Sequence, residues 1–151
     1  MIMVTLRAAE ISDLTFVTAC AEGAYSLYVD RIGRKPAPMV ADFAEALKQG
    51  HLEVLQVDDR PVGFLVSYRH ENALFVENVA VDPQHQGQGL GSAIFALLEE
   101  RAKSSGLAMI ELYTNEKMTE NLIFYPRLGF QEFDRRTESG FNRVYFRKTL
   151  D

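Results

Sequence analysis

Cysteine occurs once in this chain, at Cys20, tryptophan not at all, and histidine only at His51, His70 and His85. A lone cysteine excludes a disulfide within the chain and a cysteine-built metal cage, and it suits a reducing compartment, so a cytoplasmic location is expected. The three histidines share no ligand spacing, and no metal is expected. Hydrophobic runs are short: nothing approaches the roughly 20 apolar residues of a membrane span. The opening "MIMVTLRAAE" turns charged before the apolar core of a secretion signal develops, so a soluble, unexported protein is expected. Positive charge is scarce as well. The 16 Lys and Arg are scattered and outweighed by 21 Asp and Glu, giving a net charge of −5, which argues against a nucleic-acid or anionic-membrane surface.

What is present is 151 residues with 47% hydrophobic content, enough for one compact domain over residues 1–151. Its periodicity predicts a strand at "MVTLRAA" and a helix from about Ile11 to Val29, capped by Ser12 or Asp13. The segment "DRIGRKPAPM", with Gly33, Pro36 and Pro38, is expected to be a loop, and "VADFAEALKQG" a short helix ended by Gly50. "LEVLQV", the turn "DDRP" and "VGFLVSYRH" form a hairpin, and "ALFVENVAV" is a third consecutive strand. Leu90, Ile94, Leu97, Leu98 and Ala102 then recur at helical spacing up to Gly106. "LAMIELYT" returns to strand, "MTENLIFYPRLGF" is a short helix closed by Gly129, and "RVYFRKTL" is a final strand. A three-strand meander followed by a helix and another strand implies an α/β domain with a mixed sheet covered by helices on both faces.

Two features in "VENVAVDPQHQGQGLGSAIFALLEE" carry chemistry. Glu77 interrupts an apolar strand on the same face as Phe75, Val79 and Val81. A carboxylate buried there is costly unless water, a partner charge or a cleft reaches it; an arginine partner or a frayed edge is the plainer account. Gly87, Gly89 and Gly91 open a helix, where backbone N–H groups and the helix N-terminus favour phosphate oxygens. The stretch lacks the GK[ST] ending of a nucleotide P-loop and has Ser92 where GxGxxG needs glycine, while Glu111 stands near the position of a ribose-binding acid. The residues alone leave open a phosphate loop, a dinucleotide site, and glycines that serve only close packing.

In its context, Gln86-Gly87-Gln88-Gly89-Leu90-Gly91 resembles the Q/R-x-x-G-x-G/A pattern of the GCN5-related N-acetyltransferase (GNAT) superfamily. The similarity extends over residues 74–133 to "LIFYPRLGF", and "TLRAAEISDL" near the start is similar too. The resemblance implies a GNAT-like, mostly antiparallel central sheet and acetyl-CoA as cosubstrate. Backbone groups of Val79, Ala80 and Val81 would hold its pantetheine arm, and N–H groups from Gly87 to Ser92, through Gln88, Gly89, Leu90 and Gly91, its pyrophosphate. It also implies direct acetyl transfer to an amine acceptor, with Glu77 as general base, a strand N–H near Val79 for the oxyanion, and Tyr125 as general acid toward the departing thiolate. A lysine-like amine has a pKa near 10.4, so neutralising it at pH 7 costs about 4 to 5 kcal/mol, which is why a base is useful. Glu77, directly or through water, would accept that proton where burial raises its basicity, and Cys20 is expected to be a core thiol.

The chain departs from the family pattern at Met118, where an asparagine is common; Asn115 or Asn121 is expected to take over that cofactor contact. Pro126, directly after Tyr125, is expected to end or kink the helix there. The acceptor pocket is expected around "YSLYVDRIGRKPAPM", with Tyr25, Tyr28, Arg31 and Arg34 as candidates, and "DRRTESGFNRVYF" borders it. A homodimer is left as an open option. A non-catalytic acyl-CoA-binding module and a dinucleotide-dependent oxidoreductase are the readings from other classes.

Overall fold

A computed structural model describes residues 3–151. Met1 and Ile2, part of the opening segment weighed above as a signal, lie outside the described residues. The elements are β1 (Val4–Ala8), α1 (Leu14–Tyr25), α2 (Tyr28–Ile32), α3 (Phe43–Lys48), β2 (Leu52–Val57), β3 (Arg60–His70), β4 (Ala73–Val81), α4 (Leu90–Ser104), β5 (Met109–Asn115), α5 (Thr119–Arg127), β6 (Gln131–Glu138) and β7 (Phe141–Thr149). The strand order is β1-β2-β3-β4-β5-β7-β6. Pairing is parallel at β4–β5 and antiparallel at β1–β2, β2–β3, β5–β7 and β6–β7. The parallel pair β4–β5 needs a crossover, and α4 provides it. The α/β class with a mixed, mostly antiparallel sheet is therefore as expected. No helix among the described residues is long and apolar enough to cross a membrane.

Contacts within the chain group it into two compact units. The first holds the residues up to Ser67 together with Asn78–Ile94. In it β2 and β3 are joined through Asp58 and Asp59, both in the left-handed region at φ 52° and 63°, the backbone a two-residue hairpin turn demands. Val17, Cys20 and Ala21 of α1 recur at helical spacing and pack with Phe43 of α3 on Leu52, Phe64 and Val66 of the sheet. Phe43 meets Phe64 edge-on at 5.1 Å. Gly63 is required by contact, because a Cβ there would stand 2.3 Å from the carbonyl oxygen of Ala80.

Two expectations are corrected in this unit. The helix predicted from Ile11 to Val29 is broken: a short 3-10 turn precedes α1, and α2 follows as a separate piece. Neither Ser12 nor Asp13 caps α1; the Asp13 carboxylate instead accepts the Glu10 N–H at 2.7 Å and binds both Arg7 guanidinium nitrogens at 2.8 and 2.9 Å. The segment "DRIGRKPAPM" is likewise not all loop, since it contains the end of α2, stopped by Gly33 at φ 91°, and a 3-10 turn at Ala37–Val40.

The second unit holds Tyr68–Glu77 and the residues from Phe95 onward. Ile110 and Leu112 of β5 and Phe146 of β7 point to one side and are buried. On that side Phe95 of α4 contacts Tyr125 and Phe130, each at 5.6 Å, and Tyr125 contacts Phe146 at 5.7 Å. Strand β6 was not anticipated: "QEFDRRTE" has no apolar alternation because it is an edge strand, exposed along most of its length. Its register shifts between Glu132 and Asp134, which bulges out Phe133. Pro126 does not end the helix at Tyr125; α5 runs on to Arg127, because a proline in the last turn gives up a single helix bond.

Candidate active site

Strand β4 alternates as predicted, with Leu74 and Val76 buried and Phe75 half-buried, but Glu77 is exposed. The burial weighed for Glu77 above is absent, because the face it shares with Phe75 is open to water. Glu77 has no hydrogen bond or ion pair among the described residues. Its carboxylate acts electrostatically on two phenols, Tyr68 and Tyr113. Burial raises Tyr68 first and the Glu77 charge adds to it. At Tyr113 burial also dominates, with Arg143 opposing and Glu77 and Glu138 adding. The Phe75 ring bridges them, 5.5 Å from Tyr68 and 6.0 Å from Tyr113.

This face continues across β5 and β7. Tyr113 pairs with Tyr145 across the strands, their rings 5.5 Å apart. The Arg143 guanidinium sits 4.2 Å above the Tyr113 ring. Tyr145 donates a short hydrogen bond to Glu138, and its phenol is pushed up to about 12 by burial and by that carboxylate. Glu111, considered above for a ribose, is taken by Arg147 at 2.8 and 3.1 Å. Sequence reading missed Tyr113, Arg143 and Tyr145 as a group, because strand order alone brings them onto the face of Glu77.

In the first unit, Val79 and Val81 have main-chain oxygens engaged by side chains: Tyr25 donates its hydroxyl to Val79 at 2.7 Å, and Gln86 donates its amide to Val81 at 3.1 Å. Ala80 and Asp82 face β3, as the close approach of Gly63 to the Ala80 oxygen and the Asp82 N–H to Val62 bond at 2.7 Å require. Alternation then turns the N–H groups of Val79 and Val81 away from β3. The register of β4 with β5 has ended by then, at Val76 opposite Leu112.

After β4, the Asp82 carboxylate accepts the Gln84 N–H at 3.0 Å and a 3-10 turn over Pro83–His85 leads into the glycines. Gly87 and Gly89 have φ of 80° and 77°. A Cβ at either would meet nothing within 4 Å, so the backbone angle, and not crowding, requires glycine here. The first returning bond of the helix is Ala93 N–H to Gly89 oxygen at 3.2 Å. Among the described residues, the N–H groups of Gly87, Gln88, Gly89, Leu90, Gly91 and Ser92 have no protein acceptor. Six consecutive donors at the positive end of a 15-residue helix suit a phosphate group.

The remaining candidates divide. Tyr25 and Tyr28 contact each other at 6.3 Å and Arg31 lies 5.0 Å over Tyr28, whereas Arg34 is exposed beyond Gly33. Tyr28 is buried. In the second unit Tyr125 is buried amid Phe95, Phe124, Phe130 and Phe146. Asn115 accepts the Lys117 N–H at 2.9 Å, and Asn121 donates to the Thr114 hydroxyl at 3.0 Å beside the buried Met118. Burial, and then Asp82, push the Cys20 thiol up to about 12, which unsuits it as a nucleophile.

Comparison with known proteins adds an independent finding. Residues 48–132 match a family model described as an acetyltransferase (GNAT) domain. An uncharacterised N-acetyltransferase of Methanocaldococcus jannaschii is 30% identical over 86 residues, 52% of this chain and 38% of that protein. A glucosamine 6-phosphate N-acetyltransferase of Trypanosoma brucei brucei is 39% identical over 61 residues, 40% of each. The match thus spans less than half the length of either curated relative. Among solved structures, the PaiA N-acetyltransferase of Thermoplasma acidophilum, in complex with coenzyme A, shares the fold with a TM-score of 0.78 at 15% identity, over 98% of this chain and 99% of that one.

Proposed function

The chain belongs to the GNAT acetyltransferase family, and on that footing we propose that residues 1–151 form one acetyl-CoA-dependent N-acetyltransferase domain. The observation that carries this reading is the run of six N–H donors without a protein acceptor from Gly87 to Ser92, directly after a strand whose Val79 and Val81 N–H groups turn away from β3. The loop would hold the pyrophosphate and the strand the pantetheine arm. Acetyl-CoA, when bound, supplies an activated acetyl thioester. The names of the relatives add support, one of them specifying an amino sugar phosphate and thus an amine acceptor.

The residues divide the work as follows. Glu77, exposed and without a hydrogen bond or ion pair among the described residues, draws in the acceptor ammonium and relays its proton to water; the roughly 4 to 5 kcal/mol that a neutral amine costs at pH 7 stays part of the barrier, and the carboxylate supplies the path for the proton. The Val79 N–H donates to the oxygen on which charge develops. The Tyr125 hydroxyl returns a proton to the departing sulfur. Cys20, buried and with a raised pKa, takes no acetyl group.

Calorimetry with acetyl-CoA, NAD(P) and FAD, followed by thiol release across an amine panel, tests the proposal. Binding of acetyl-CoA alone with turnover on at least one amine is expected. Tight coenzyme A binding without turnover on any amine would make the chain a binding module, and preference for a dinucleotide would overturn the reading. Glu77→Gln should spare cofactor affinity and lower kcat/KM, most steeply below the amine pKa; an unchanged pH profile would remove Glu77 from the chemistry.

A further inference from the structure

The Glu77 face carries three arginines stacked over aromatic rings, and one of them differs from the others. Arg147 lies 4.1 Å over Phe133 with two hydrogen bonds to Glu111, and Arg136 lies 4.3 Å over Tyr145 with a 2.7 Å bond to Asp134. Arg143 lies 4.2 Å over Tyr113, but its nearest carboxylate, Glu138, stands 3.6 Å away and already accepts the Tyr145 hydroxyl. Arg143 makes no hydrogen bond among the described residues, although only 15% of its side chain is exposed. A guanidinium carries five donors, and leaving them unmatched in a mostly buried setting is costly. Glu77, a carboxylate with no cation among the described residues, acts on the same Tyr113 phenol. The protein thus presents an unmatched anion and an under-matched cation that act on one phenol.

We infer that Arg143 anchors an oxyanion of the acceptor while Glu77 holds its amine, so that the substrate class is an amine that also bears a carboxylate or phosphate. Guanidinium geometry matches such groups with paired N–H donors. Arg143 of β7 pairs across to Asn115 of β5, and Glu77 follows directly on the end of the β4–β5 pairing at Val76 opposite Leu112, so the two charges come from the strands on either side of β5. This inference rests on the acetyl-transfer reading for the role of Glu77, whereas the Arg143 anchor is measurable by binding alone.

The test uses the full chain saturated with coenzyme A and compares 5-aminopentanoate with pentylamine by calorimetry. The unmutated protein should bind the amino acid at least tenfold more tightly, and Arg143→Gln should collapse that ratio to within twofold, with Arg143→Lys between. Pentanoate, which carries the anion without the amine, should compete with 5-aminopentanoate in the unmutated protein, which keeps the test decisive if Arg143→Gln does not fold. Equal binding of the two amines, binding of neither at millimolar concentration, failure of pentanoate to compete, or an unchanged ratio in folded Arg143→Gln would each overturn the anchor. Acetyl transfer is then read separately by thiol release: a binding preference without turnover would leave the anchor standing and remove the transferase reading.

Discussion

Tyr25 of α1 donates its hydroxyl to the main-chain oxygen of Val79 at 2.7 Å, tying the helix to the segment of β4 proposed to hold the cofactor. The sequence suggested Tyr25 as an acceptor contact; the bond makes it a support for the strand. Tyr25→Phe keeps the ring and removes the hydrogen bond to Val79, worth about 0.5 to 1.5 kcal/mol. Acetyl-CoA affinity should fall by about 2- to 10-fold, with a smaller change in acceptor KM. Calorimetry and steady-state kinetics check this, and a rise confined to acceptor KM would restore the original reading.

How far the sequence was readable depended on whether a feature is local. Strands β2 and β4 fall where the alternation put them, and Gly50, Gly106 and Gly129 close helices at φ of 76°, 73° and 95°. These signals need only neighbours in the chain. Strand β6 was invisible because an edge strand with water along it needs no apolar period. The sequence left open whether Glu77 is buried or exposed, because its flanks Val76 and Asn78 do not reveal which face a helix covers. The grouping of Tyr113 with Arg143 and Tyr145 depends on β7 lying beside β5, and strand order is a tertiary fact.

Gly89→Val addresses the proposed phosphate loop. At φ 77° a β-branched side chain is strained by about 1 to 2 kcal/mol, although nothing crowds its Cβ. The strain should lower the melting temperature moderately, while the altered backbone should weaken acetyl-CoA binding at least tenfold by misdirecting the N–H donors. Calorimetry on the folded variant is the check; near-normal affinity would move the phosphate elsewhere.

The Arg7–Asp13 pair gives a pH prediction. The Arg7 hydrogen bond, helped by the Glu10 N–H, holds the Asp13 carboxyl down at about 2. A depressed folded pKa stabilises above the unfolded value of about 3.9 and loses that contribution as pH falls toward the folded value. With Arg7 partly exposed the pair is worth about 1 kcal/mol. Asp13→Asn should therefore be less stable by that amount at pH 7, and its deficit should shrink between about pH 4 and pH 2. Denaturant melts across that range decide it; a deficit independent of pH would assign the effect to packing.

Tyr125 is where function and packing compete most directly. Its ring is buried between Phe95, Phe130 and Phe146, at 5.6 to 5.7 Å from each, so Tyr125→Phe leaves those contacts in place and removes only the hydroxyl. Cofactor affinity should survive. A general acid typically contributes about 10² to 10⁴ in rate, but a thiolate whose pKa is near the cysteine reference of about 8.5 already leaves readily, so the loss in kcat should fall at the lower end, about 10²-fold. A thioester with a more acidic thiol needs less help from the proton, and the deficit should shrink with such a substrate if the phenol acts on sulfur. The comparison of acetyl-CoA with a thioester of lower thiol pKa therefore separates the roles: a constant deficit across thiols makes Tyr125 a packing residue whose hydroxyl only holds the site in shape, and a rate within twofold of the unmutated enzyme at every pH removes it from the reaction.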